Sequence, residues 1–190
     1  MEKISTVENN KTHICPHKLA FFLNNPIRRI FQNPIKILNP YIDKGNTVMD
    51  LGCGPGFFTI DMARLAGPDG KVIAVDLQEK MLEYVRKKAV KYNVEDRITF
   101  FKCEKDRIGF NDKVDFILAF YMVHETPSHR DLLGELKNML NENGKILIVE
   151  PRMHVSKKAF DKMKAMVTET GFKILSYPEK VGGYGMLLTI

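Results

Sequence analysis

Cysteine is scarce in this chain of 190 residues. Its three cysteines, Cys15, Cys53 and Cys103, are an odd number with no close pair, which argues against a disulfide framework and fits a reducing, cytoplasmic compartment. Long apolar runs are missing too, since stretches such as FILAF and ILIV are far too short to span a bilayer. The opening MEKISTVENNKTH is polar and mixed in charge, unlike a secretory signal. No run of five or more like charges occurs, and the excess of 29 basic over 23 acidic residues is spread along the chain as a solvated surface. Internal repeats and low-complexity segments are absent. What is there suffices for one domain, because 44% hydrophobic content over 190 residues can build a full core. These features predict a soluble, intracellular, single-domain protein.

The chain starts with a polar stretch that reads as frayed to about Thr12. Residues 16–38 have helical character, with apolar clusters LAFFL and IRRIF, and Pro26 and Pro34 break them into short pieces. After Gly45 the pattern becomes regular. Strand-like TVMDL, KVIAVDL, ITFFK, VDFILAF and KILIVE alternate with helical stretches, except for an irregular segment between ITFFK and VDFILAF. Met81, Leu82, Val85 and Ala89 recur at helical spacing, and a last helix over residues 156–170 is closed by Gly171. This alternation predicts an α/β fold with a mainly parallel sheet covered on both faces. FKILSY and GMLLTI are separated only by a Gly-rich turn, too short for a right-handed crossover, so the last strand is expected to run antiparallel to its predecessor.

The most informative stretch is VMDLGCGPGFFT, residues 48–59, where Gly52, Gly54 and Gly56 follow a buried strand carrying Asp50. In an open α/β sheet the first strand–helix turn is a ligand-binding position, and glycines there let a ligand lie against bare backbone. Asp50 is an acid at the end of a buried strand, and it needs a partner. Asp76 ends the next strand, where a carboxylate can accept both hydroxyls of a ribose. A nicotinamide dinucleotide would need the G-x-G-x-x-G spacing for its pyrophosphate, and an acid in the turn would repel it. G-x-G-x-G behind an acid suits a nucleoside that carries positive charge and no phosphate. S-adenosylmethionine meets that description.

Together VMDLGCGPGFFT, VIAVDL and LKNMLNENGKILIVEP resemble the class I S-adenosylmethionine-dependent methyltransferases, from about Lys36 to the C-terminus. The resemblance implies a Rossmann-like seven-stranded sheet in the order 3-2-1-4-5-7-6, with the last strand reversed and helices on both faces. It implies that Asp50, Gly52, Gly54 and Gly56 hold the methionine end of the cofactor and that Asp76 binds its ribose. Leu77 and Met81 would flank the adenine. Glu104, with the Cys103 backbone, takes the place of the acid that meets the adenine amino group, and Asp106 is close by. Phe120, ending the fourth strand, is placed with these cofactor-binding residues.

Methyl transfer is an in-line displacement, for which holding the acceptor in place supplies much of the catalysis. A base is needed only when the nucleophile carries a proton. After VDFILAF come Tyr121, His124 and Glu125, and Glu150 with His154 lies at the end of KILIVE. Neighbouring strands would hang these groups over one sheet edge, with His124 or His154 as the base and Tyr121 as a pocket wall. The chain lacks an Asn-Pro-Pro-Tyr signature, a Pro-Cys pair after the fourth strand, and any stretch where aromatic and basic residues interleave. These lacks favour a small-molecule acceptor. An RNA or protein methyltransferase using the basic surface and a non-catalytic cofactor-binding partner subunit are the alternatives.

The expected organisation is an N-terminal helical segment over residues 1–35, sized as a lid, and a methyltransferase domain over residues 36–190. His13, Cys15 and His17 would share a face in an extended segment. Pro16 and the want of a fourth nearby ligand favour a buried cysteine at a helix start, so no metal is assigned.

Overall fold

A computed structural model of the chain describes residues 28–29 and 32–190. The His13, Cys15 and His17 grouping and the expected fraying and helical pieces before residue 28 lie outside the described residues. Among the described residues seven strands form one sheet, namely β1 (Thr47–Leu51), β2 (Lys71–Asp76), β3 (Ile98–Lys102), β4 (Val114–Phe120), β5 (Leu140–Glu150), β6 (Lys173–Ser176) and β7 (Tyr184–Thr189). Their order is β3-β2-β1-β4-β5-β7-β6, as the resemblance implied. The first five pair in parallel, whereas β7 runs antiparallel to both β5 and β6.

Alternate residues along the strands enter two separate cores. Val48, Val72, Ala74, Phe116 and Leu118 face one, which α1 (Pro34–Leu38), α2 (Thr59–Ala66) and α3 (Glu79–Lys91) cover through Leu38, Met62 and Val85. Met49, Ile73, Val75, Ile117 and Ala119 face the other, covered by α4 (His129–Met139) and α5 (Lys157–Glu169) through Leu133, Leu136 and Phe160. Burial on both faces explains why these strands read as near-continuous apolar runs. Each fully buried Val, Leu or Ile contributes about 1.5–3 kcal/mol. No helix among the described residues is long and apolar enough to cross a membrane.

Helix starts follow their caps. Asn33 caps α1 with Pro34 in its first turn, Ser128 caps α4 and Ser156 caps α5. α2 begins at Thr59, after a loop in which Gly52, Gly54 and Gly56 all take positive φ. The strand read as KILIVE begins earlier, and the NENG stretch lies within β5. Leu140 already pairs with Val114, and the register shifts before Lys145 pairs with Phe116, with Asn143 in the left-handed region at φ 64°. Between β1 and β4 the sheet order reverses direction, and their carboxyl ends diverge to open a crevice.

Candidate active site

A cavity of about 1160 Å³ opens at that crevice. It is bordered by every cofactor-site and acceptor-site residue expected from the sequence except Gly56 and Glu150. The three glycines turn out to serve different ends. A Cβ on Gly54 would meet nothing within 4 Å, so its backbone, at φ +53°, is open to a ligand. A Cβ on Gly52 would lie 2.9 Å from Met122 Cβ, and one on Gly56 would lie 3.1 Å from Val85 Cγ2. Gly52 therefore lets the loop pass the end of β4, and Gly56 lets α3 pack close. Gly56, expected among the residues holding the cofactor, does not border the cavity and packs against α3.

Two buried acids face the cavity from adjacent strands. Asp50 accepts a hydrogen bond from the Thr59 hydroxyl at 2.5 Å, and that is the partner its burial demanded. Burial pushes its carboxyl up to about 7, the Thr59 bond opposes the rise, and nearby Asp76 adds to it. Asp76 accepts backbone N–H bonds from Gly54 and Gln78, both at 2.9 Å. Burial raises its pKa against those N–H groups. With a further backbone bond from Leu77, the carboxylate keeps capacity for an additional donor. Leu77 and Met81 border the cavity where β2 runs into α3, while Cys103 and Glu104 border it after β3. Cys53 is buried and its N–H donates to Val75 O, consistent with a packing role.

The other half of the cavity is aromatic and histidine-rich. Phe57, Phe58, Phe120 and Tyr121 form a wall, with Phe58 and Phe120 ring centroids 4.5 Å apart. The Tyr121 hydroxyl donates to Gly182 O at 2.6 Å and accepts from Gln32 Nε2 at 2.7 Å. Its only proton is engaged there, in keeping with the expected pocket wall and not with the alternative of Tyr121 acting on the substrate beside His124, His154 and Glu125. His124 and His154 do come together, with ring centroids 5.6 Å apart, and both border the cavity along with Glu125. Glu150 does not hang over the edge as expected. It is fully buried behind His124, with Oε2 2.5 Å from His124 Nδ1. Burial alone would lower the His124 pKa, but the hydrogen bond and charge of Glu150, with the charge of Glu125, raise it on balance. Among the described residues no group of three His, Cys, Asp or Glu side chains could hold a metal ion.

Several contributors went unnoticed in the sequence. Arg28 borders the cavity with its guanidinium 4.2 Å above the Phe57 ring, and its Nε donates to Gln32 at 2.7 Å. Lys88 donates to Pro55 O at 2.5 Å, tying α3 to the glycine loop, and burial lowers its pKa to about 8. Glu135 accepts the Ile108 and Gly109 N–H groups, pinning the segment after β3 to α4. Only the position of Lys88 on a helix following the glycine loop could have hinted at such a contact.

A family model described as Methyltransferase domain matches residues 42–181. The chain is 31% identical over 121 residues to the demethylmenaquinone methyltransferase of Lactococcus lactis subsp. lactis, a match covering 62% of this chain and 48% of that protein. It is 28% identical over 150 residues to a Saccharolobus solfataricus protein named "Probable cobalt-precorrin-6B C(15)-methyltransferase (decarboxylating)", covering 78% of this chain and 66% of the other. The chain thus spans about half to two thirds of the length of these curated relatives. The crystal structure of a SAM dependent methyltransferase from Aquifex aeolicus superposes with a TM-score of 0.79 at 26% identity, over 91% of this chain and 96% of that one.

Proposed function

The chain belongs to the methyltransferase-domain family, and on that premise we propose that it transfers a methyl group from S-adenosylmethionine to a small-molecule acceptor bound over the ends of β4 and β5. The observation that carries this reading is the continuous cavity running from Asp50 and Asp76 to His124 and His154. Its first half fits the cofactor. Gly54 presents bare backbone, Asp50 offers a buried carboxyl to an ammonium group, Asp76 can accept ribose hydroxyls, and Leu77 and Met81 offer apolar surface to an adenine. When bound, S-adenosylmethionine supplies a methyl group on a cationic sulfur. Asp50 and Asp76 favour that positive charge, and the apolar aromatic wall strengthens the attraction.

In the second half, Phe57, Phe58, Phe120 and Tyr121 can hold a flat, apolar acceptor, and His124 can take a proton from it. The relatives above are named for a demethylmenaquinone and, as a probable activity, a cobalt-precorrin, both small molecules. A conjugated acceptor with an ionisable hydroxyl suits the same wall and base here. Arg28 and Gln32 bring the start of the described chain against this rim, which supports a covering role for residues 1–35 over the domain that follows. Cys53 and Cys103 are free thiols, in keeping with a cytoplasmic location.

The test is transfer from methyl-labelled S-adenosylmethionine onto a panel of hydroquinones, phenols, thiols, arsenite and tRNA. Label is expected on a small-molecule member. Label on tRNA alone would overturn the acceptor class.

A further inference from the structure

Glu150 stands at the acceptor edge in a place that core packing does not explain. It ends β5 opposite Tyr184 of β7 and is fully buried, directly after the apolar run Ile146 to Val149. Oε2 meets His124 Nδ1, but Oε1 is buried with no hydrogen-bond partner among the described residues. A buried carboxylate oxygen in that condition costs stability, and an apolar residue would fill the position without that cost. What the carboxylate gains is a fixed imidazole. With Nδ1 engaged, Nε2 is the nitrogen left to meet a ligand in the cavity that His124 borders.

We propose that Glu150 is a positioning residue for methyl transfer, holding His124 with Nδ1 protonated and Nε2 turned to the acceptor, and stabilising the imidazolium once the acceptor's proton arrives. This rests on the functional reading above. In the step, the acceptor's O–H bond breaks, its proton passes to Nε2, and an acceptor electron pair forms the new bond to carbon. The departing sulfur keeps the pair of the bond that breaks. The imidazolium then faces a carboxylate, so the buried pair is neutral overall and avoids an isolated charge.

Other charged or titratable groups lie on the elements around the pair. Glu125 lies in the same turn as His124, His129 begins α4, and His154 follows β5 with its ring 5.6 Å from that of His124. Tyr121 follows β4, and Arg152 lies over the Tyr184 ring. The net effect on His124 remains upward, with Glu150 the main raising influence. Burial lowers His129, partly offset by Glu150.

The test uses the full chain, S-adenosylmethionine with 1,4-naphthohydroquinone as the probe acceptor, and ¹⁵N NMR of the imidazoles without either ligand. Glu150→Gln should lower single-turnover rate about 10²–10⁴-fold and leave cofactor affinity unchanged. The pH midpoint of the rate and the His124 titration should both move down. Glu150→Asp should restore part of each. Adding Glu150→Gln to His124→Ala should slow the reaction no further, as for residues acting as a unit. An unchanged His124 titration in Glu150→Gln, or a shifted titration with wild-type rate, would overturn the proposal. If Glu150→Gln does not fold, the wild-type tautomer decides, and a proton on Nε2 instead of Nδ1 overturns it. Failure of the wild-type chain to methylate the hydroquinone or any panel member would count against the functional reading. The tautomer and titration would then still decide whether Glu150 holds His124.

Discussion

Replacing Asp50 by asparagine separates the cost of a buried carboxyl from its use. The carboxyl is displaced from 3.8 to about 7 mainly by burial. In the fold it therefore binds a proton that the unfolded chain releases, and stability falls as pH rises between those values. The loss is complete above about 7. Linkage puts the cost at about 4 kcal/mol at pH 8 and under about 2 kcal/mol at pH 5. The asparagine side chain has the same shape and can accept the Thr59 hydroxyl, but it must bury an NH₂ at a cost of about 1–3 kcal/mol. That amide cost does not change with pH. The advantage of Asp50→Asn over wild type should accordingly shrink by about 2–3 kcal/mol from pH 8 to pH 5, or roughly 5–10 °C in Tm. Thermal unfolding of both cofactor-free proteins at the two pH values measures it. Calorimetry should show wild-type affinity for S-adenosylmethionine rising from pH 5 to pH 8, because the carboxylate gains a cation, while Asp50→Asn binds weakly at both. Parallel pH dependence in the two proteins, or unchanged affinity in Asp50→Asn, would refute the reasoning.

Gly54→Ala should cost only the roughly 1–2 kcal/mol of a left-handed non-glycine residue, yet weaken cofactor binding at least tenfold by calorimetry. Gly52→Ala should instead destabilise the fold further, since its Cβ would press on Met122 at 2.9 Å. Lys88→Met releases the Pro55 carbonyl from its 2.5 Å bond and should raise the KM for the cofactor with little change in kcat under steady-state assay. Removing residues up to Leu23 should leave the cofactor bound and impair turnover or acceptor affinity. Loss of the whole fold, seen by circular dichroism, would make that segment structural.

Much of the fold is written in local pattern. Apolar runs of strand length, helical spacing such as Met81, Leu82, Val85 and Ala89, and capping residues such as Ser156 and Gly171 act over one or two turns, and each is readable in order. The glycine loop and its two acids are similarly legible, because Asp50 and Asp76 end consecutive strands and a parallel sheet brings such ends to one edge. The reversal of β7 follows from chain length alone, since residues 177–183 cannot carry a crossover.

Tertiary structure decided what each of these residues faces. The glycines share a spacing, yet Gly54 opens on the cavity while Gly52 and Gly56 pack, because Met122 and Val85 arrive from other elements. Glu150 ends its strand much as Asp76 ends β2, but β4 and β7 flank that strand and the turn after β4 lays His124 against the carboxylate. Tyr121 reads as a pocket wall at the acceptor edge, but that its hydroxyl is held by Gln32 and Gly182, 89 and 61 residues away, is not legible in the sequence. Sequence pattern reports burial and direction along an element. The partner of a buried polar group depends on which distant side chain packing delivers, and in this site that choice gives His124 a buried carboxylate and Tyr121 a carbonyl.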